Sequence, residues 1–298
     1  MKILRVFLKR TPYTPKDNMV LIGMPPVDEL IPEHDEVHIT CIFTWDKEKC
    51  LSLQNEWQAR TDKPVKVGGP AFGSKARSFR QGMYIKQNII FTSRGCNNNC
   101  PWCRVRQLEG KLNELPIVPG NWIQDNNFLQ CSRRHKDKVF EMLKTQSGVH
   151  FMGGLEADLI DDHFLEAVRG LKIRKMFLAC DTDAAIPAME RAVKKLRSAG
   201  FSQDHIHCYA LIGDDMSANE ERLRRIYHAG AMPRAQLYRP YEDTKKRYPP
   251  EWNAFGRVWS RPCMTKGCMT KGKVYSRQEL AHMQVDGQLA MELEELEY

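Results

Sequence analysis

Cys96, Cys100 and Cys103 stand at spacing C-x3-C-x2-C within Thr92-Ser93-Arg94-Gly95-Cys96-Asn97-Asn98-Asn99-Cys100-Pro101-Trp102-Cys103. The run follows directly on an apolar strand-like stretch, residues 88–92. Three thiolates on one short loop can converge on a single metal centre. Iron–sulfur cubanes usually take four cysteine ligands. Three local ligands therefore leave one iron open, and an open position is what chemistry at a cluster needs. Gly95 and the asparagine run suit a loop that wraps around a bulky group. Two other chemistries compete. A structural zinc site wants a fourth ligand and usually two C-x2-C-type pairs; only Cys100 and Cys103 make such a pair, and no His follows close by. A redox pair needs C-x-x-C at a helix start, and Cys100-Pro101-Trp102-Cys103 has that form but leaves Cys96 unused. The spacing and the preceding strand favour iron–sulfur.

The remaining cysteines divide in two. Cys41, Cys180 and Cys208 lie inside apolar runs and are expected as small buried hydrophobes. Cys263 and Cys268 stand in a basic stretch, residues 257–277, that holds a tandem echo, Met264-Thr265-Lys266-Gly267-Cys268 and Met269-Thr270-Lys271-Gly272-Lys273. They are expected as free thiols on a solvated basic tail. The 298 residues carry 45 Lys and Arg against 37 Asp and Glu, a net charge of +8. That excess admits an anionic partner without naming one. No apolar run approaches the 18 residues of a membrane helix. The start has no long unbroken apolar stretch, so a cytoplasmic, unexported protein is expected.

Elements must position the cysteine loop. Strand-like runs at residues 3–8, 37–43 and 65–67, with a helical stretch at 46–60, predict a small α/β lobe over residues 1–80. Residues 73–82 are polar, basic and bounded by glycine, as in a linker. Residues 83–245 then carry six strand-like runs, at 88–92, 121–124, 149–152, 175–180, 207–212 and 235–238. Helical patterns at 132–146, 161–171 and 184–199, and one opening on a capping box at Ser217-Ala218-Asn219-Glu220, lie between them. This alternation predicts a parallel sheet of βαβ units. Residues 246–298 form a C-terminal extension with the basic stretch and an acidic end. Parallel folds bind ligands at the carboxyl ends of their strands. Asp125, Asn126 and Asn127, then Gly153, Gly154 and Glu156, then Asp181 and Thr182, then Gly213, Asp214 and Asp215 occupy those ends.

Cys96, Cys100 and Cys103, with an aromatic before the last cysteine, resemble the signature of the radical SAM superfamily, C-x3-C-x-(aromatic)-C. The resemblance covers about residues 83–245 and implies a partial (β/α)6 TIM-like barrel whose cysteine loop follows the first strand. It implies that the three cysteines ligate a [4Fe-4S] cluster and that S-adenosyl-L-methionine (SAM) chelates the open iron. Reductive cleavage of SAM would then give a 5′-deoxyadenosyl radical that abstracts hydrogen from an unidentified substrate. A flavodoxin or ferredoxin is the implied electron donor.

By the same resemblance, Trp102 lies by the cluster near the adenine, and Asp125 and Asn127 face the site. Gly153, Gly154 and Glu156 resemble the Gly-Gly-Glu element that receives the SAM amino group, with one residue inserted. Asp181 and Thr182 face the ribose or carboxylate, and Gly213 lies in a similar apolar-I-G segment. The first lobe resembles a degenerate cobalamin-binding domain, with Val65 to Phe72 similar to a late strand and its Gly-Gly-Pro loop. The expected D-x-H-x-x-G is missing, so no cobalamin is expected. The alternative is a non-catalytic zinc- or iron–sulfur-containing nucleic-acid-binding protein. It accounts for the charge and the cysteines, but not for six βα units with polar carboxyl ends.

Overall fold

A computed structural model of the chain describes residues 1–73, 82–240 and 246–272. They fall into two compact units, one ending at Ile89 and the other beginning at Ile90. The basic segment between residues 74 and 81 lies outside the described residues.

In the first unit, β1 (Ile3–Phe7), β2 (Val20–Ile22), β3 (Glu36–Thr40), α1 (Lys47–Gln58) and β4 (Val65–Gly68) form a parallel sheet in the order β2-β1-β3-β4 with one helix. The alternation of β1 and β3 buries Leu4, Val6, Val37 and Ile39 against Leu53 and Trp57 of α1. The Trp57 indole is fully buried, and its N–H donates to the carbonyl of Gly23 at 3.0 Å. The sequence pattern gives three strands here, and the structure has four. β2 is three residues long, too short for period-2 alternation to register.

β5 (Ile89–Ile90) spans the boundary, and β6 (Ser93–Arg94), α2 (Val105–Leu108), β7 (Asn113–Glu114) and β8 (Trp122–Ile123) follow in the second unit. Then come α3 (Arg133–Lys144), β9 (Val149–Leu155), α4 (Asp162–Arg169), β10 (Ile173–Ala179), α5 (Ile186–Ser198), β11 (Ile206–Ile212), α6 (Met216–Ala229) and β12 (Met232–Leu237). Six strands lie side by side in chain order, β5-β8-β9-β10-β11-β12, with parallel pairing from β8 onward. This is the expected βα succession. One face of the sheet buries Phe151, Met176, Leu178, Cys208 and Ala210 against Phe164, Met189, Val193, Leu196, Leu223 and Ile226 of the helices.

Three expectations change in detail. β9 runs to Leu155 and so contains Gly153 and Gly154, which were expected beyond its end. α6 starts at Met216, capped by Asp215, whose carboxylate accepts from the N–H groups of Ser217 and Ala218 at 2.9 and 3.1 Å. A charged oxygen suits the positive helix terminus better than the hydroxyl of Ser217. Finally, residues 257–272 are not a solvated tail. α7 (Pro250–Ser260) and α8 (Pro262–Lys271) bury Trp259, Met264 and Thr265, and the Ser260 hydroxyl donates to Ala235 O of β12 at 2.6 Å. Residues 273–277 lie outside the described residues. Among the described residues, no helix is long and apolar enough to cross a membrane.

His207 on β11 makes stability depend on pH. Burial, with Arg234 and Lys175 nearby, pushes its pKa down to about 2. Arg234 Nε donates to its Nδ1 at 3.1 Å, so the ring proton sits on Nε2, 3.1 Å from Asp204 O. The unfolded histidine takes up a proton near pH 6.5, whereas the folded one stays neutral. Its contribution is therefore complete above pH 6.5 and falls by about 1.4 kcal/mol per pH unit below it, or about 2 kcal/mol at pH 5. His207→Gln keeps an acceptor and a donor but does not titrate. Between pH 7.5 and 5 it is expected to lose about 2 kcal/mol less than wild type in urea unfolding. Equal losses would rule His207 out as the origin.

Candidate functional site

The cysteine loop leaves β6 and is closed by the residues leading into β7, which pairs antiparallel with β6. Gly95 has φ +79°, and a Cβ there would stand 2.3 Å from Lys111 O, so only glycine lets the two backbones approach. Cys96 N donates to Gly110 O at 3.2 Å. Glu109 ties the base of the loop together. It pairs with Arg94 and accepts from Gly95 N at 3.0 Å and Asn126 Nδ2 at 2.6 Å.

Asp125, just past β8, is 1 % exposed. Its carboxylate accepts from Thr92 N at 2.6 Å, Thr92 Oγ at 2.5 Å and Ser93 Oγ at 2.7 Å. Burial raises its pKa against the pull of these donors. The residue was expected to face a cofactor. The structure instead places its carboxylate on the segment that feeds the cysteine loop. Gly153 on β9 lies against the same residue, where a Cβ would stand 1.8 Å from Asp125 O.

Cys96, Cys100 and Cys103 are each half-buried and unpaired. Burial raises the pKa of Cys100, and neighbouring Cys103 and Cys96 add to the effect. Three soft donors on one loop, close enough to repel as thiolates, are a donor set for a cluster. Among the described residues, no three such ligands already stand at metal-binding spacing. The loop supplies the donors rather than a closed cage.

Glu156, just after β9, gathers three amides on one oxygen. Its Oε2 accepts from Asn98 Nδ2 at 3.1 Å, Asn127 Nδ2 at 2.7 Å and Gln130 Nε2 at 2.9 Å. Among the described residues, no hydrogen bond falls on Oε1. Asn127 is 6 % exposed, and its Oδ1 is buried without a hydrogen-bond partner among the described residues. Two acceptors are thus left beside the cysteine loop. On the other side, Trp102 Nε1 donates to Asp181 Oδ2 at 3.1 Å, and Leu211 N donates to Oδ1 at 3.1 Å. Burial raises the Asp181 pKa, and these two bonds oppose it.

The structure therefore joins the cysteine loop to Glu156, which Asn127 also holds, and to Asp181. Gly154 has φ +105° and open space around its Cα. Thr182 precedes a short 3-10 turn, and its carbonyl accepts from the Cys180 thiol. Gly213 has φ +132° and is covered by Tyr248, 2.4 Å from the position a Cβ would take. Asp214 is held below the usual carboxylate range by the Asn219 amide. Cys263 and Cys268 lie five residues apart on α8, about 140° around the helix, and so on different faces. The sequence reading missed Asn98, Glu109 and Gln130. Asn98 stands inside the motif itself. The others carry no local signal, because their roles come from chain segments that meet only in the fold.

A scan against protein-family models finds no match, and a search of curated proteins finds none. Solved structures do match. One is TsrM, a radical S-adenosylmethionine methyltransferase from Kitasatospora setae with cobalamin and a [4Fe-4S] cluster bound; it superposes with a TM-score of 0.56 at 11% identity, over 79% of this chain and 74% of that one. The same enzyme with tryptophan substrate and the SAM analog aza-SAM gives 0.51 at 11% identity, over 70% and 62%. At this identity the likeness shows the fold alone: a mixed α/β chain with parallel sheets. The share matched exceeds the second unit, so the likeness reaches into the first.

Proposed function

We propose that the chain is a radical SAM enzyme built on a partial (β/α)6 barrel, with Cys96, Cys100 and Cys103 holding a [4Fe-4S] cluster. The observation that carries this reading is the cysteine loop itself. The loop that carries the three thiols is tied through Asn98 to Glu156 and through Trp102 to Asp181 at the carboxyl ends of a parallel sheet, in a fold shared with such an enzyme. When bound, the cluster supplies the electron for reductive cleavage of SAM, whose 5′-deoxyadenosyl radical then abstracts hydrogen from the substrate. Glu156 Oε1 and Asn127 Oδ1 are acceptors suited to the SAM ammonium. Trp102, oriented by Asp181, walls the adenine side, and Gly154 leaves room for a ligand to approach the strand end. A flavodoxin- or ferredoxin-type protein is the proposed electron donor.

Cobalamin fits less well. The carboxyl ends of β1, β3 and β4 lead into residues 8–14, 41–45 and 69–73, none of which is histidine. His38 is engaged by Tyr84 at 2.5 Å and Glu36 at 2.9 Å. The first unit thus offers no axial imidazole there, and no step is assigned to a corrin.

The test is anaerobic reconstitution with iron and sulfide. A brown protein absorbing near 400 nm, bleached by dithionite and releasing 5′-deoxyadenosine from SAM, is the expected result. A colourless protein with stoichiometric zinc would overturn the reading in favour of the non-catalytic alternative.

A further inference from the structure

Charge is unevenly placed around the cysteine loop. Residues 94–138 hold eight Lys and Arg against four Asp and Glu, half of the net charge of +8. All four carboxylates are engaged within the fold. Asp125 is buried on Thr92 and Ser93. Glu109 pairs with Arg94, Glu114 accepts from Ser132 N at 2.6 Å, and Asp137 Oδ1 is 2.6 Å from His163 Nε2. Among the described residues, Arg106, Lys111, Arg133 and Arg134 take part in no salt bridge, and the last three are exposed. These cations border the loop. Arg106 lies three residues after Cys103. Lys111 is held there by the close approach of its carbonyl to Gly95, and Leu112 N donates to Asn97 Oδ1 at 3.2 Å. Arg133 and Arg134 open α3, which is tied to the loop just upstream: Gln130 Oε1 accepts from Asn97 N at 2.8 Å, and Gln130 Nε2 donates to Asn98 Oδ1 at 3.0 Å. Cations are unfavourable at the positive end of a helix dipole, and the first turn of α3 has no acid. Helix stability therefore does not account for them. Between Arg106 and Lys111, Leu108 is 67 % exposed. An apolar side chain facing solvent amid cations is the make-up of a protein-docking face, apolar at its centre and charged at its rim.

We propose that this rim, Arg106, Leu108, Lys111, Arg133 and Arg134, is the docking face of an acidic one-electron carrier protein. The proposal rests on the radical SAM reading and locates the donor that the reading requires. One electron leaves the reduced carrier, which is thereby oxidised, and reduces the cluster; no bond forms or breaks and no proton moves. The rim suits that step because its residues either follow Cys103 within eight positions or stand against Asn97 and Asn98, so a carrier seated there lies beside the cluster ligands. Opposite charge steers the encounter, and a small charged interface lets the partners separate after transfer. A nucleic acid is the other polyanion that cations draw. Single strands, however, are held by stacking bases on aromatic rings, and residues 104–118 contain no aromatic. Trp102, just before them, is bonded to Asp181.

The experiment uses the full chain, reconstituted anaerobically, with flavodoxin as the probe and a labelled single-stranded oligonucleotide as the competitor class. Four forms are compared: wild type, Arg106→Glu with Lys111→Glu, Arg133→Glu with Arg134→Glu, and Lys194→Glu with Arg197→Glu, a charge control on the exposed side of α5. Affinity is measured at low and high salt, and the 5′-deoxyadenosine formed with reduced flavodoxin is divided by that formed with dithionite. Each rim pair is expected to weaken flavodoxin binding about tenfold at low salt and to lower the product ratio about tenfold. The difference in affinity should close at high salt, where surface charge is screened. Arg133→Glu with Arg134→Glu should do this with a melting temperature at or above that of wild type, because acids suit the first turn of α3. Lost folding then cannot account for lost binding. The α5 pair is expected to stay within about twofold of wild type. Wild-type affinity in either rim pair would overturn the docking face. So would an equal loss in the α5 pair, which would mean that net charge alone draws the carrier. A wild-type protein that does not bind flavodoxin would overturn it too, and binding of the oligonucleotide instead would give the rim to a nucleic acid. Failure of the radical SAM reading looks different: no 5′-deoxyadenosine forms with either reductant, and the docking face falls with it.

Discussion

Changing any one of Cys96, Cys100 and Cys103 to alanine is expected to remove most of the iron and all 5′-deoxyadenosine formation. The three are the ligands on one loop, and a cubane short of one of three protein thiolates has no neighbour to recruit. Cys131, the next thiol along the chain, is 4 % exposed and pushed up to about 12 by burial, so it remains a protonated core residue. Cys180 is likewise buried and pushed up to about 12. Cys263→Ala and Cys268→Ala are the controls, because α8 turns these two side chains to different faces. Iron is quantified on the reconstituted proteins, and product is measured after incubation with SAM and dithionite. Full iron in Cys100→Ala would refute the ligand set. Halved iron in Cys263→Ala would reveal a second cluster.

How far these features can be read from the chain depends on whether they are local. The cysteine loop is local, and its spacing and place after a strand are visible in the letters. The βα succession is visible because Ile186, Met189, Val193 and Leu196 keep helical spacing and the strands between the helices are apolar. β2 is invisible because three residues carry no period. α7 and α8 are hidden for a different reason. Gly256, Pro262 and Gly267 interrupt the helical pattern, although Trp259 and Met264 dock on the core. Within the site, an aspartate at a strand end suggests a ligand, and only tertiary structure shows that Thr92 and Ser93 consume the Asp125 carboxylate. Glu156 and Trp102 are legible as polar or aromatic groups in the right places. Their partners Gln130 and Asp181 are 26 and 79 residues away in sequence, beyond any local pattern.

Gly153→Ala is expected to damage the site without touching a ligand. A Cβ at position 153 would stand 1.8 Å from Asp125 O, 2.7 Å from Asp125 C and 2.9 Å from Gln124 C, all of them backbone atoms that no rotamer change can move. Relief requires β9 and the end of β8 to separate. The end of β8 is not free to yield, because the Asp125 carboxylate is bound three times to Thr92 and Ser93 at the root of the cysteine loop. Separation would break those bonds and leave buried donors unsatisfied, at about 1–3 kcal/mol for each. A total loss of at least about 3 kcal/mol lowers the melting temperature by about 6–12 °C for a unit of this size. Iron uptake should fall with it, because the loop loses its anchor. Gly154→Ala is the informative neighbour. Position 154 has φ +105° but open space, so its cost is conformational strain of about 1–2 kcal/mol and its iron content should be near that of wild type. Melting curves and iron analysis on both variants decide the matter. Gly153→Ala with wild-type stability and full iron would mean that β8 and β9 do not meet as closely as Gly153 and Asp125 require, and that the cysteine loop draws its order from elsewhere.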